Sequence, residues 1–314
     1  MCGTGRAGAG RRSLASGQTL TSDFFFNSPI RVAPKPSPIA SHAMSDSGLP
    51  DFAQPPVDEV ALSLQFPPIA GFTVPHFGLY WQWVRGDYPR SEIKPPITNI
   101  TEEFGPGVAF ARQMRIALTD LPEVRCWYFD DSGNRLVQVQ RDRFVINWRK
   151  VTGAETYPRY PDLRDRLERE WTRFCEFLRN EGLERPKVNQ CEVLYVNNIE
   201  YGKGWSGYGD LDQVIAALAT PKAQNKFLPA PERMSMNVIY PLGESAGRLY
   251  VTFNPVVRAR DGKEVLQMTL TARGAPKSAS DDEVFAWLDL GRKWVVRGFA
   301  DFTTDTMHKV WGKQ

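Results

Sequence analysis

The sequence has few of the side chains that bind metals or transfer protons. Among its 314 residues there are three histidines, His42, His76 and His308, which are too few for a histidine-rich zinc or iron centre. The four cysteines match no zinc-binding spacing. A phosphate-binding loop of the form G-x-x-x-x-G-K-[ST] is also absent from the sequence. We therefore predict a protein with no bound metal and no cofactor.

Long apolar runs are absent as well. No stretch approaches the roughly 18 to 20 apolar residues that a membrane-spanning helix needs, so we expect a soluble protein without a membrane partner. Three cysteines, Cys126, Cys175 and Cys191, have apolar neighbours in predicted strands and a predicted helix, which favours buried, unpaired thiols. Free thiols are typical of a reducing compartment, and we therefore expect a cytoplasmic protein.

Acidic residues are almost missing from the first 43 residues. This segment contains five basic residues and one acid, Asp23, among Gly, Ser, Ala and Pro. Such a composition predicts a disordered extension. An organelle transit peptide also fits it, as does an upstream start codon with Met44 as the natural start. Without these residues, the totals of 39 basic and 36 acidic residues become 34 and 35. A balanced charge disfavours nucleic acid as a partner.

Alternation of apolar and polar residues predicts two batches of strands, each followed by a long helix. The strands are predicted at 58–66, within 124–150, and at 188–199, 236–240, 248–257 and 264–272. The helices are predicted at 74–85, 162–181, 281–299 and 304–311. Since no βαβ units repeat, we predict an α+β fold of largely antiparallel sheet packed against long amphipathic helices. Residues 44–314 would form one domain with two similar halves, 50–185 and 186–314.

The helix at 162–181 has the clearest periodicity in the chain. Its apolar residues recur at steps of three and four, which predicts one buried stripe of Leu163, Leu167, Trp171, Phe174 and Leu178. Asp162 lies four residues before Arg166, and we expect these two side chains to pair on the helix surface. Residues 88–106 are rich in proline and polar side chains and are predicted to form an extended connection.

Residues 243–247 read GESAG and match the G-x-S-x-G motif of serine hydrolases. Asp301 and His308 follow Ser245 in the chain order of a Ser–Asp–His triad. The motif needs a helix after the serine, whereas the strand-like RLYVTF follows here. We therefore interpret GESAG as a hairpin loop and keep a serine hydrolase using Ser245 and His308 as the alternative function. Asp305, three residues before His308, favours a capping acid beside a surface histidine.

Residues 202–207 read GKGWSG and match the dinucleotide-binding pattern G-x-G-x-x-G, but no helix is predicted to open at the third glycine. The loop also contains Trp205 and is flanked by Tyr201 and Tyr208. We therefore predict an aromatic contact loop instead of a nucleotide site.

Arginine and aromatic residues are dense between the central strands and the long helix. Trp148, Arg149, Tyr157, Arg159 and Tyr160 lie there. Arginines beside aromatic faces can bind carboxylates, phosphates or a partner protein. The alternative is a purely structural stack that seals the helix onto the sheet.

Two further residues, Glu192 and Trp205, complete the predicted ligand- or partner-binding set. No spacing places a second acid beside Glu192, which favours an ion pair with a nearby arginine over acid–base catalysis. We therefore predict no catalytic residues.

Four separated blocks occur in the order PPVDEVALSLQFPP, VQRDRFVINWRK with YPRY, QCEVLYVNNI and FADFTTDTMHKVWG. In these blocks the chain resembles a sporadically distributed family of uncharacterised bacterial proteins about 250 residues long. The 314 residues of the chain itself could form one large domain or two small ones. The resemblance covers essentially residues 50–312 and supports Met44 as the natural start. It implies a horizontally transferred accessory function, at mobile-element or defence loci, and supplies no activity, substrate or catalytic residue.

The sequence therefore favours a non-enzymatic binding protein. Its expected partner is another protein or a small anionic ligand. The serine hydrolase and a nucleic-acid-binding protein are the alternative functions.

Overall fold

The computed structural model describes residues 48–104, 124–218, 227 and 229–314. The predicted N-terminal extension at 1–43 lies outside these residues. The described part of the chain has the predicted α+β fold, with a nine-stranded antiparallel sheet and four α-helices.

The strands follow one another in the chain as β1 (Val57–Gln65), β2 (Arg90–Lys94), β3 (Arg125–Phe129), β4 (Arg135–Gln140), β5 (Arg143–Arg149), β6 (Gln190–Glu200), β7 (Met236–Leu242), β8 (Gly247–Val257) and β9 (Glu264–Gly274). The helices are α1 (Val74–Val84), α2 (Tyr160–Asn180), α3 (Asp281–Phe302) and α4 (Asp305–Trp311). Across the sheet the order is β2-β3-β4-β5-β1-β6-β9-β8-β7. The central pair, β1 and β6, joins strands from the two predicted batches.

One strand, β2, was not expected from the sequence, which predicted an extended connection over 88–106. β2 lies at the edge of the sheet and pairs with β3 alone, and most of its side chains are exposed. An edge strand with exposed side chains needs no apolar face. It therefore lacks the alternation that identifies a half-buried strand.

The sheet has an apolar face and a polar face, because side chains alternate along each strand. On β1 the residues Val60, Leu62 and Leu64 are buried on the apolar face. Glu59, Ser63 and Gln65 lie on the opposite side of the same strand. We call that side the polar face: it comprises these β1 residues and the side chains in register with them on the other strands.

Helix α2 covers part of the apolar face. Every member of its predicted stripe is buried in the core. The ring of Phe144 on β5 lies 5.0 Å from that of Phe174 and 5.6 Å from that of Trp171, centroid to centroid. These aromatic contacts provide much of the apolar area that holds the helix to the sheet.

The predicted surface pair of Asp162 and Arg166 is wrong. Arg166 is only 4% exposed, and its guanidinium donates to the backbone carbonyls of Asn147 at 2.9 Å and Leu136 at 3.0 Å. It also lies over the ring of Tyr88, 5.8 Å from the centroid. The buried face of α2 is thus wider than the apolar stripe. An arginine fits there because its fork of donors serves two carbonyls.

Helix α3 approaches the sheet closely at two glycines. A Cβ atom on Gly298 would lie 2.7 Å from Leu249 Cδ2, and one on Gly291 would lie 3.1 Å from Val193 Cγ2. Glycine at these positions allows the helix backbone to come nearer than an alanine would.

Helices α2 and α3 pack side by side in opposite directions. Tyr160 and Arg164, at the start of α2, contact Asp289 in the middle of α3. Trp171, further along α2, contacts Asp281 at the start of α3. The opposite order of these contacts shows that the helices are antiparallel. Since Asp289 lies beside the first residue of α2, the rest of α3 extends beyond the start of α2.

Cys126, Cys175 and Cys191 are buried and unpaired, as predicted. Within the described ranges, none of the helices combines the length and apolar character that crossing a bilayer requires.

Arg166→Met tests the buried guanidinium, because it removes donors from two carbonyls while keeping an apolar side chain of similar length. We expect the free energy of unfolding to fall by about 3 kcal/mol, because two buried hydrogen bonds from a charged group are lost and each contributes about 1.5–3 kcal/mol. Urea unfolding measures this loss. Arg169→Met, at an exposed position of the same helix, is the control and should change stability by no more than about 0.5 kcal/mol. Equal effects of the two substitutions would contradict the assigned role.

Candidate functional site

A cavity of about 350 Å³ lies where α3 extends beyond the start of α2. We call it the α2–α3 cavity. Its wall is apolar along α3 and the sheet, for example at Val295, Phe299 and Leu270. Its polar lining consists mainly of Tyr157, Arg159, Tyr160, Tyr195, Asn197 and Arg292. Arginine and tyrosine therefore converge on an otherwise apolar space.

Residues 49–57 close one side of the α2–α3 cavity. Phe52 forms a β-bridge with Lys313, and Ala53 N donates to Gly312 O at 2.9 Å. Arg159 also binds this segment, since Nη1 donates to Asp51 Oδ1 at 2.7 Å and Nη2 to Phe52 O at 3.2 Å. This wall of the α2–α3 cavity is thus held by Gly312 and Lys313 and by the side chain of Arg159.

The hydroxyl groups of Tyr157 and Tyr195 are hydrogen-bonded at 2.8 Å. The ring of Trp148 packs behind Tyr157, 5.6 Å away between centroids. Burial raises the pKa of Tyr195 to about 12, although its hydrogen bond with Tyr157 acts to lower it. Burial also raises the pKa of Tyr157, as does the nearby Tyr195. Both phenols are therefore neutral near pH 7 and can donate and accept hydrogen bonds.

Arg292 is the second cation of the α2–α3 cavity. Its guanidinium lies over the ring of Tyr160, 5.0 Å from the centroid. The hydroxyl of Tyr160 donates to Asp289 Oδ1 at 2.8 Å, which holds that ring in place. The Nε atom of Arg292 is buried and has no hydrogen-bond partner among the described residues. Buried donors in folded proteins usually have an acceptor, which can be a protein group, a water molecule or a bound ligand.

Arg159 has an unusual backbone conformation, with φ 71° and ψ 160°. This region is occupied almost only by glycine, and it costs a residue with a side chain about 1–3 kcal/mol. The strained residue directly precedes α2 and lines the cavity. Strain of this kind occurs preferentially at functional sites.

A second cavity, of about 410 Å³, lies on the other side of Tyr157 and Arg159. We call it the Lys150 cavity. Five basic and three acidic side chains line it. Several of them pair with one another: Arg260 with Asp58 at 2.6 Å, Arg258 with Glu200 at 2.7 Å and Lys203 with Glu200 at 2.9 Å. The excess charge of this cavity is positive.

Lys150 itself forms no ion pair within the described residues. Burial lowers the pKa of its amino group, and the charge of Arg260 acts in the same direction, while Asp58 acts to raise it. A half-buried ammonium group without an ion pair is suited to binding an anion.

Three of the seven predicted site residues meet in one place, because Tyr157, Arg159 and Tyr160 all line the α2–α3 cavity. Trp148 is 3% exposed and supports Tyr157 from the core. Arg149 lies on the polar face, where its guanidinium is 5.2 Å from the ring centroid of Phe129. Successive residues of a strand point to opposite faces, which separates Trp148 from Arg149.

The remaining two predicted residues lie elsewhere. Glu192 pairs with Arg273 on the polar face at 2.5 Å, the ion pair that the sequence favoured. Trp205 is 3% exposed, and its Nε1 donates to Glu200 O at 2.9 Å. This tryptophan closes its own loop, and the seven residues do not form a single surface.

Sequence reasoning missed Tyr195, Asn197 and Arg292 as site residues. Tyr195 and Asn197 belong to a strand whose apolar alternation was recognised, but that pattern does not show which residues border a cavity. Arg292 is one of several basic residues on α3, and only the offset of the two helices distinguishes it.

Ser245 and His308 lie in different surroundings. Ser245 is in the turn that joins the antiparallel strands β7 and β8, as the hairpin interpretation predicts. His308 is 5% exposed, so the expectation of a surface histidine is wrong. Its Nε2 is 2.9 Å from Thr303 Oγ1, and its ring packs 5.4 Å from that of Phe52. Within the described residues, none of the hydrogen bonds of His308 involves Ser245.

A scan against protein-family models gives no match for the chain, and a search of the curated proteins gives none either. The resemblance to the bacterial family stays a prediction. In the described ranges, no three His, Cys, Asp or Glu side chains come together in a way that could hold a metal ion. The α2–α3 cavity and the Lys150 cavity are therefore the strongest candidates for a binding site.

Arg159→Gly and Arg159→Ala test the backbone strain, since both remove the guanidinium and only glycine tolerates the native φ and ψ. We expect the glycine variant to be more stable than the alanine variant by about 1–3 kcal/mol. Urea unfolding of the two proteins measures the difference. The same pair of substitutions at Ser280, which begins α3 with an ordinary φ of −70°, controls for the general effect of glycine before a helix. Equal differences at the two positions would show that Arg159 is not strained.

Proposed function

We propose that the protein acts by binding a small anion with an apolar portion, which occupies the α2–α3 cavity. The observation that carries the proposal is Arg292, a cavity-lining arginine whose buried Nε lacks an acceptor within the described residues. A carboxylate or phosphate group would satisfy it with a charge-assisted hydrogen bond. The apolar portion would lie against Val295 and Phe299.

The size and lining of the site support this proposal. Pockets for small molecules have volumes of roughly 300–1,000 Å³ and a mostly apolar wall with few polar groups. The α2–α3 cavity, at about 350 Å³, has this composition. The neutral hydroxyls of Tyr157 and Tyr195 would orient the ligand by hydrogen bonds without gaining or losing a proton. A binding role is therefore favoured over acid–base catalysis.

The charge around the site supports an anion in particular. Arg159 and Arg292 line the α2–α3 cavity, and Asp51 is the only carboxylate among its lining residues in the described chain. Asp51 is already paired with Arg159. The neighbouring Lys150 cavity has an excess of basic side chains, which attracts the same class of ligand.

The proposal includes two similar halves, 50–185 and 186–314, each packed under a long amphipathic helix. Their strand order supports it. The first strand of each half, β1 or β6, pairs with the last strand of the same half, β5 or β9, and the remaining strands follow outward in reverse order. In each half a long helix, α2 or α3, follows the last strand. The α2–α3 cavity would then lie where the two halves meet.

Titration with octanoate tests the ligand class, with octanol as a matched chain that lacks the charge. We expect isothermal calorimetry to show saturable octanoate binding at one site and much weaker octanol binding. Arg292→Met should weaken octanoate binding by about 10- to 100-fold, because a hydrogen bond to a charged group contributes about 1.5–3 kcal/mol.

Arg179→Met is the control for the loss of one positive charge, since Arg179 is exposed at the far end of α2. It should leave octanoate binding unchanged. Equal binding of octanoate and octanol, or equal loss in the two variants, would contradict an anion site at Arg292.

A further inference from the structure

The polar face carries a second basic site, separate from both cavities. Residues 95–104, the described part of the connection between β2 and β3, run across this face. We call them the crossing segment. Ile97 exchanges two hydrogen bonds with the side chain of Gln140 on β4, and Ile100 N donates to Gln65 Oε1 on β1 at 3.3 Å. At β8, Arg248 Nη2 donates to Glu103 O at 2.7 Å. The segment therefore passes over the sheet from one half to the other.

The crossing segment inserts a carboxylate between basic side chains. Glu102 has a side chain that is 3% exposed. The hydroxyl of Tyr250 donates to its Oε1 at 2.7 Å, and Arg248 Nη1 donates to its Oε2. Arg273 Nη1 lies 3.6 Å from Oε1. Three partly buried groups on β8 and β9 thus form a preorganised site for an oxyanion.

Two buried donors on the same face, on β5 and β6, have no acceptor within the described chain. Arg143 is 4% exposed, and its guanidinium donates only to the uncharged oxygens of Ser63, Gln65 and Asn99. Its Nε has no partner among the described residues, and neither has Nε2 of Gln190, which is 2% exposed. Both donors belong to the polar face, in register with Gln65. A buried arginine without a paired carboxylate is costly, and an anion relieves that cost.

The crossing segment is held in a way that permits its release. It has no regular secondary structure, and its described contacts with the face are made mainly through side chains of the sheet. Displacing it would break none of the hydrogen bonds that pair the strands.

We propose that the polar face binds an external oxyanion, a carboxylate or a phosphate group, at Arg248, Arg273 and Tyr250, and that Glu102 occupies this site when the ligand is absent. The ligand displaces the carboxylate of Glu102 and so releases the crossing segment from β8. The unsatisfied donors of Arg143 and Gln190 lie on the same face, on β5 and β6.

Glu102→Gln tests this site, since it removes the competing negative charge. Inorganic phosphate and acetate are titrated separately by calorimetry to distinguish a phosphate ligand from a carboxylate ligand. We expect at least one of the two anions to bind Glu102→Gln at least tenfold more tightly than the unaltered protein. Adding Arg248→Gln to that variant should abolish the gain. Glu176→Gln, which makes the same change of charge at an exposed position of α2, should give no gain.

A second measurement uses the unaltered protein and does not depend on the folding of any variant. Saturating phosphate or acetate should accelerate amide hydrogen exchange in residues 97–104, because the bound anion displaces Glu102. Unchanged or slower exchange with both anions would overturn the proposal. So would equal affinities of Glu102→Gln and the unaltered protein, which would make Glu102 a structural contact only.

Discussion

The α2–α3 cavity depends on the offset between the two long helices, and the carboxylate of Asp289 joins them at the point where α2 begins. Asp289 accepts hydrogen bonds from Tyr160 at 2.8 Å and from Arg164 at 3.2 Å, both in the first turns of α2. Asp289 itself lies well inside α3. The later turns of α3 therefore continue over β6 and β9 without α2 beside them. Residues 49–57 and the strained Arg159 close the space that remains.

The other side of the sheet is also covered incompletely by the described chain. The helices bury the apolar face, and the crossing segment lies over part of the polar face. Its arginines are compensated in part by Glu102 and Glu192, while donors of Arg143 and Gln190 stay unsatisfied within the described residues. The α2–α3 cavity and the proposed oxyanion site on the polar face thus have one feature in common. At each of them a short segment without regular secondary structure completes the cover of the sheet.

Local periodicity was sufficient to predict most elements of the fold. The apolar stripe of α2 and the alternation along β1 depend on neighbours within a few residues, and both were recognised from the sequence. The exposed edge strand β2 has no such pattern and was missed. Arg166 was predicted on the surface because its four-residue spacing from Asp162 favours a pair, whereas the carbonyls that bind it are distant in sequence.

The candidate site was only partly predictable for a related reason. Tyr157, Arg159 and Tyr160 are adjacent in sequence, and their composition alone identified them. Tyr195 and Arg292 join them through the pairing of β6 and the offset of α3, and neither long-range feature has a local signal. The strain at Arg159 also depends on the surrounding fold, because nothing in the sequence predicts a positive φ for arginine.

The most direct test of the account is the environment of the Arg292 Nε–H group, observed by ¹H–¹⁵N magnetic resonance during titration with octanoate. The signal can be assigned by its absence from the spectrum of Arg292→Met. We predict that it shifts saturably with the ligand, at the concentration that calorimetry gives for half-saturation, while the signal of Arg179 stays constant. An unchanged Arg292 signal in protein that is saturated with octanoate would contradict the central claim.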